Sequence, residues 1–228
     1  MSHQPAPLRF EHVPLGKDAS HAFSLEIPAH HTVAVLGDEN SGVGMLGGYA
    51  LGLDRPPAGR ALAFDTDVGT LPEPARLAFR RRVGYLPAGE GLLQNLSLRD
   101  NIALPLRFGS GASPKEIEGR VNVMLAAVRI AGAGHLRPAQ ANEEERRRAA
   151  LARAIAFDPA LLVLEQPFDG LTARVSSELL ELARGGESAE GARRTIFITG
   201  QEIPPLLLRR VEHVYRLTRA GALEPETV

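Results

Sequence analysis

Residues 33–45, Val33-Ala34-Val35-Leu36-Gly37-Asp38-Glu39-Asn40-Ser41-Gly42-Val43-Gly44-Met45, decide the fold. Four apolar residues run into a glycine-rich turn, and a helix is expected beyond it. A strand, a Gly-rich loop and a helix in that order place backbone N–H groups where a phosphate can be cradled. The template is G-x-x-x-x-G-K-[ST]. Gly37 and Gly42 match its glycines, but Val43 stands at the Lys position and Gly44 at the Ser/Thr position. The loop thus keeps the backbone pattern of a phosphate loop without its acting side chains. On these residues alone an ordinary glycine turn is the simpler reading.

Three further apolar runs follow: Val83 to Leu86, Leu161 to Leu164, and Thr195 to Thr199. Continuous apolar runs of this length read as strands buried on both faces, hence as a parallel sheet. Helical patterns lie between them, so the fold class is α/β. The clearest helix runs from Glu143 to Phe157, with Ala150, Leu151, Ala154 and Ile155 on one stripe and Arg146, Arg147 and Arg153 off it. From about Leu92 to Ala141 no strand is expected, only helices over Ser97 to Leu106 and Ser113 to Val128. Ser113-Pro114 is a good start for the second, with Ser as cap and Pro at the first helical position. Leu8 to Ile27 reads as a small N-terminal β piece. The expected division is an α/β core from residues 1–90 and 155–228, with a helical subdomain at 91–154.

The chain has 228 residues, 44% of them apolar and 23% charged. That is ordinary globular usage and excludes a disordered chain. There is no cysteine, which excludes a disulfide scaffold, a thiol nucleophile and thiolate metal sites, and fits a reducing compartment. A net charge of -1 argues against nucleic acid as a partner. No run approaches the ~18 apolar residues of a membrane span, and Met1 to Phe10 lacks the pattern of a secretory leader. Of 26 basic residues only Lys17 and Lys115 are lysines. Lys17 falls in the β piece and Lys115 in the helical stretch, so neither is expected to flank the glycine loop.

Taken in order, these stretches resemble an ATP-binding cassette (ABC) transporter ATPase subunit from about Leu8 to Leu223, nearest to the Mla/Mce lipid-transport type. Arg147 to Ala156 is similar to the helix after that family's signature loop. Leu161 to Leu171 (LLVLEQPFDGL) is similar to its Walker B strand and D-loop. Gly91-Leu92-Leu93 through Asn101 to Leu106 is similar to the segment after its Q-loop, and Glu202-Ile203-Pro204 to its H-loop region. The resemblance implies a P-loop NTPase (RecA-like) core with a mostly parallel sheet, a small antiparallel β piece and a helical insertion.

It also implies a site, and there the sequence departs from the family. Gly37, Asn40, Ser41, Gly42, Val43, Gly44, Met45 and Ala88 fall on nucleotide-binding positions, with Ala88 where the family has the Q-loop Gln. Glu165 falls on the Walker B Asp, Gln166 on the catalytic Glu and Gly200 on the switch His. Thr172 falls on the D-loop Asp, and Pro14-Leu15 offers no aromatic for adenine. Gln166 is neutral and cannot take a proton from water. Ala141, Asn142, Glu143, Glu144 and Glu145 fall on the signature Leu-Ser-Gly-Gly-Gln. Here Asn142 and Glu145 suggest a capping box, and Glu143 with Arg147 and Glu144 with Arg148 are favourable (i, i+4) pairs.

No catalytic residue is expected, and ATP and Mg²⁺ are implied only in weakened form. The implied protein is a non-hydrolysing subunit on the cytoplasmic face of a membrane permease; the alternatives are a weakly ATP-binding or active ATPase energising transport and a soluble scaffold or regulator. Its implied partners are an integral-membrane permease and either an intact ABC ATPase or a second copy of itself. The expected docking residues are Phe79, Tyr85, Leu92 and Leu93. His30-His31 is a weak metal pair, since adjacent strand residues face opposite sides.

Overall fold

A computed structural model describes residues 6–185 and 193–226. Met1 to Pro5, part of the stretch read for a leader, lie outside the described residues.

Chain order is β1 (Leu8–Pro14), β2 (Ala22–Ile27), β3 (Thr32–Leu36), α1 (Leu46–Ala50), β4 (Arg60–Ala63), β5 (Thr66–Asp67), α2 (Glu73–Arg80) and β6 (Val83–Leu86). Then come α3 (Leu98–Gly109), α4 (Pro114–Ala127), α5 (Glu143–Ala154), β7 (Leu161–Glu165), α6 (Ala173–Arg184), β8 (Thr195–Gly200), α7 (Pro205–Leu208), β9 (His213–Leu217) and β10 (Leu223–Pro225). The four apolar runs are all strands. They lie in a six-stranded sheet of order β10-β9-β3-β8-β7-β6, parallel except for β10. The second sheet, β2-β1-β4-β5, is antiparallel and contains the N-terminal β piece.

Both faces of the large sheet are buried, which is why its strands read as unbroken apolar runs. On β3, Val33 and Val35 face the small sheet, where Phe10, Phe23 and Phe197 meet; Ala34 and Leu36 face the helices. That second core runs without a break from the strands through Leu98, Ile102, Leu125 and Leu151 of α3, α4 and α5.

The caps read from sequence are in place. Ser113 caps α4 in a reciprocal box with Glu116, and Asn142 caps α5 in a box with Glu145. The helix after the glycine loop departs from expectation. Only a 3₁₀ turn over Val43–Met45 and the five residues of α1 form. Gly47 and Gly48 within it each weaken a helix by roughly 0.8–1 kcal/mol relative to Ala. Gly52, at φ +63, ends the segment.

Candidate functional site

The parallel strands end on one edge of the sheet, and their loops meet there. The N–H of Gly37 donates to Gly200 O at 2.9 Å, so the glycine loop after β3 is tied to the end of β8. Within the loop, Asn40 N–H donates to Asp38 Oδ1 (2.9 Å), Ser41 N–H to Asp38 O (3.1 Å) and Val43 N–H to Ser41 Oγ (3.3 Å). Gly42 holds φ +80, a left-handed value that costs other residues steric strain. Arg219, in the turn between β9 and β10, pairs with Asp38 at 2.7 Å and holds its carboxyl below the usual range.

Val43 is buried in the core between the sheets and offers no charge. Gly44 has open space where a Cβ would stand. Met45 is exposed. Leu15 packs on Gly42, occupying the place where an aromatic was sought.

Lys17 corrects the sequence expectation. Its N–H donates to Asn40 O at 2.9 Å, so Lys17 does flank the loop. The signal was hidden because 23 residues of chain separate two segments that meet only through sheet packing.

Glu165 ends β7. Its Oε2 accepts the N–H of Ala88 at 3.2 Å, and its Oε1 lies 2.0 Å from where a Cβ on Gly47 would stand. The carboxylate is therefore wedged between α1 and the loop after β6, in room that only a glycine at 47 leaves. Tyr85 also faces it, and burial together with this carboxylate pushes the phenol up. We expect Gly47→Ala to destabilise the protein although Ala is the better helix former. Glu165→Ala should remove most of that penalty, because the cost is the clash with its carboxylate. Urea denaturation of the two single variants and the double variant checks the coupling; equal penalties with and without Glu165 would show that the wedge is unimportant.

Gln166 sits at φ +45, with its N–H donated to Thr199 O at 2.7 Å. A Cβ on Gly200 would lie 3.8 Å from Gln166 Cα, so a side chain has room there and none is present. Gln166 also lines a polar cavity of about 410 Å³ with Asp169, Gln201 and Glu202.

The acidic start of α5 meets the turn after β7. Glu143 lies over Gly170, its Oε1 2.2 Å from a Cβ position there. The expected Glu143–Arg147 pair does not form. Arg147 is buried and donates instead to Gln166 O and Asp169 O, both at 3.4 Å. Burial favours backbone carbonyls that are already fixed over a mobile exposed carboxylate. The Glu144–Arg148 pair does form, at 2.8 Å, and Arg148 is buried with a second carboxylate, Glu178, at 2.7 Å.

The docking expectation needs correction. Phe79 is buried between the sheets and Leu92 among the helices, so neither is available to a partner. Leu93 is exposed, with its N–H on Asn101 Oδ1 at 2.8 Å. Tyr85 does line a groove, one of about 580 Å³ between α2, β6 and α3. Leu77, Leu104, Pro105, Phe108 and Phe157 make it apolar, and Arg80 and Arg81 give it basic groups. Phe108 is 85% exposed and Leu77 56%. Their exposure was not legible from sequence, since apolar residues on a helix read first as core.

The histidines lie in the turn before β3 and not on a strand, with His30 at φ +65, and they diverge. His30 Nδ1 meets Arg193 O, while His31 stacks on His213 with ring nitrogens 3.1 Å apart. Among the described residues no group of three or more His, Cys, Asp or Glu is placed to hold a metal.

A Mg²⁺ ion does not fit the glycine-loop site. Gly44 has no hydroxyl, Val43 is apolar, and Glu165 Oε2 already accepts the Ala88 N–H. A phosphate chain has only backbone N–H groups and neighbouring cations to meet it.

Comparison with known proteins gives a consistent picture. The family model described as ABC transporter matches residues 20–169. The sulfate/thiosulfate import ATP-binding protein of Mesorhizobium japonicum is 34% identical over 184 residues, 79% of this chain and 51% of that protein. The chain thus spans about half the length of such relatives. The lipoprotein-releasing system ATP-binding protein of Chromohalobacter salexigens is 32% identical over 204 residues, 89% of this chain and 84% of that protein. In structure, the chain is similar to a dimeric ATP-binding cassette in a post-hydrolysis state bound to ADP and Pi. The TM-score is 0.83 at 20% identity, over 96% of this chain and 98% of the other.

Proposed function

The chain belongs to the ABC transporter family as an ATP-binding-cassette subunit, and from that premise we propose that it is a non-hydrolysing member that docks on a membrane permease. One observation carries this reading. Where the family has its P-loop Lys, catalytic Glu and switch His, this chain has Val43, Gln166 and Gly200. Losing one preorganised transition-state group typically costs about 10²–10³ in rate. A Gln amide oxygen accepts hydrogen bonds but is too weak a base to take a proton from water at any accessible pH.

We expect no phosphate release above background with millimolar ATP, and the same ATP affinity in Mg²⁺ and in EDTA. Phosphate release lost on Glu165→Ala would overturn the reading and favour the alternative, an active ATPase built on the one carboxylate that remains. That alternative is supported only by Glu165.

The partner reading rests on the groove of about 580 Å³. Apolar walls with basic groups suit a short amphipathic helix carrying a carboxylate, as on a permease loop. None of the described helices is long and apolar enough to cross a membrane, so the place proposed for this subunit is peripheral, on the inner face of the plasma membrane. Leu77→Glu with Phe108→Glu should abolish co-purification with the permease in detergent while leaving the melting temperature within a few degrees. Unchanged co-purification would move the docking site elsewhere, whereas a wild-type chain that brings down no membrane protein would favour the soluble-regulator alternative.

Mla/Mce-type lipid cargo is proposed on the sequence resemblance. The second subunit of the assembly, an intact ABC ATPase or a second copy, is proposed from the family alone.

A further inference from the structure

We propose that Lys17, a residue outside the glycine loop, supplies the cation that this loop presents to an anionic phosphate chain. The inference rests on the family reading above, which places nucleotide phosphates at Gly37 to Gly44.

Four observations carry it. The segment Leu15-Gly16-Lys17 is packed onto the loop: Gly16 N lies 3.0 Å and Leu15 Cδ2 3.3 Å from a Cβ position on Gly42, and Lys17 N–H is bonded to Asn40 O. The anchor is therefore the Lys17 backbone itself, which fixes where its side chain starts. That side chain is exposed, and among the described residues its ammonium has no ion pair and no hydrogen bond. The other cation at the loop, Arg219, is committed to Asp38 at 2.7 Å. Finally, the Gly42 N–H has no partner among the described residues, whereas those of Asn40, Ser41 and Val43 are bonded within the loop.

An unpartnered Gly42 amide and the backbone of Lys17, whose ammonium is unpaired among the described residues, thus belong to one packed loop whose own Lys position holds the buried Val43. Lysine suits the task, since its flexible four-carbon stem carries three rotatable donors to a compact anion. Gly16 at φ +97 makes the turn that brings it there. A Cβ at that position would meet Arg219 O at 2.3 Å, so the same contact holds Lys17 and the Arg219 turn together. Asp18 and Glu39 are exposed neighbours in sequence of Lys17 and Asn40, and neither pairs with the ammonium.

The test is binding of ATP and of inorganic triphosphate, by calorimetry at low salt, to the full chain. Variants are Lys17→Ala, Lys17→Arg, and Lys115→Ala as a remote control on α4. Lys17→Ala should weaken both ligands about tenfold or more, as expected on losing a hydrogen bond to a charged group. Lys17→Arg should retain most of the affinity, and Lys115→Ala should bind as wild type. Circular dichroism and melting should be unchanged in all three, because the anchoring bonds are made by backbone. Binding equal in wild type and Lys17→Ala overturns the proposal, as does a wild type that binds neither ligand. Neither result touches the reading of a non-hydrolysing cassette, which fails only if the same samples release phosphate from ATP.

Discussion

Val43→Lys combined with Gly44→Ser raises ATP affinity by about ten- to a hundredfold and leaves hydrolysis at background. The first change restores a charged donor, which contributes roughly 1.5–3 kcal/mol to an anion, and 1.4 kcal/mol is about a factor of ten in affinity. The second restores a hydroxyl at a position with nothing within 4 Å of a new Cβ, so it meets no steric obstacle. The cost falls on folding. Val43 is buried between the two sheets, and exchanging a buried Val side chain for a Lys stem forfeits part of about 1.5–3 kcal/mol. The variant therefore melts lower without ligand and gains more from ATP than wild type does. On the non-hydrolysing reading proposed above, hydrolysis stays at background because Gln166 and Gly200 are unchanged. Calorimetry and a phosphate-release assay on one preparation check both parts. An affinity equal to wild type would mean that the loop, bonded internally at Asn40, Ser41 and Val43, is shut to phosphate whatever its side chains.

Arg148→Ala produces the largest loss of stability, about 3 kcal/mol. The guanidinium side chain is 4% exposed and joins Glu144 of α5 to Glu178 of α6, with Val128 O as a third acceptor. Breaking a buried pair typically costs about 3–5 kcal/mol. The low end applies because both carboxylates keep some contact with water. Arg148→Lys should recover little of it, since an ammonium cannot span two carboxylates and a carbonyl as a planar fork does. Urea denaturation with an unchanged slope measures the difference; a loss under about 1 kcal/mol would mean the helices hold without the bridge.

The network also sets a sign for pH dependence. Arg148 holds the Glu178 carboxyl below its usual range. Its stabilising share is complete above the ordinary Glu value near 4.3 and is lost as pH falls through the lowered native value. In Arg148→Ala this acid-side loss should shrink.

Four strands were legible because burial on both faces leaves unbroken apolar runs at Val33, Val83, Leu161 and Thr195. The helix starts at Ser113 and Asn142 were legible because capping is local chemistry, settled within four residues. The strands β9 and β10 were not picked out, since alternating His213-Val214-Tyr215-Arg216 reads as a half-exposed edge and gains its place only by pairing with β3. Arg147 read as lying off the apolar stripe of α5 and Arg148 as the partner of Glu144; both are buried. Besides Glu144, they meet Gln166 O and Asp169 O in the turn after β7, Val128 O just past α4, and Glu178 of α6, partners 19 to 30 residues away.

The residues alone determined an α/β chain with Val43 and Gly44 in its glycine loop, and Glu165-Gln166 at the end of its Leu161 strand. These are statements about composition at fixed spacings, and no packing can add a missing side chain. Tertiary structure decided what surrounds these positions. It set Lys17 against Asn40, wedged Glu165 against Gly47, and turned Phe79 and Leu92 inward while leaving Leu77 and Phe108 at an open groove. Each of these depends on contacts between segments remote in sequence. Their geometry follows from how two sheets and a helical layer stack, which local propensity and periodicity do not encode.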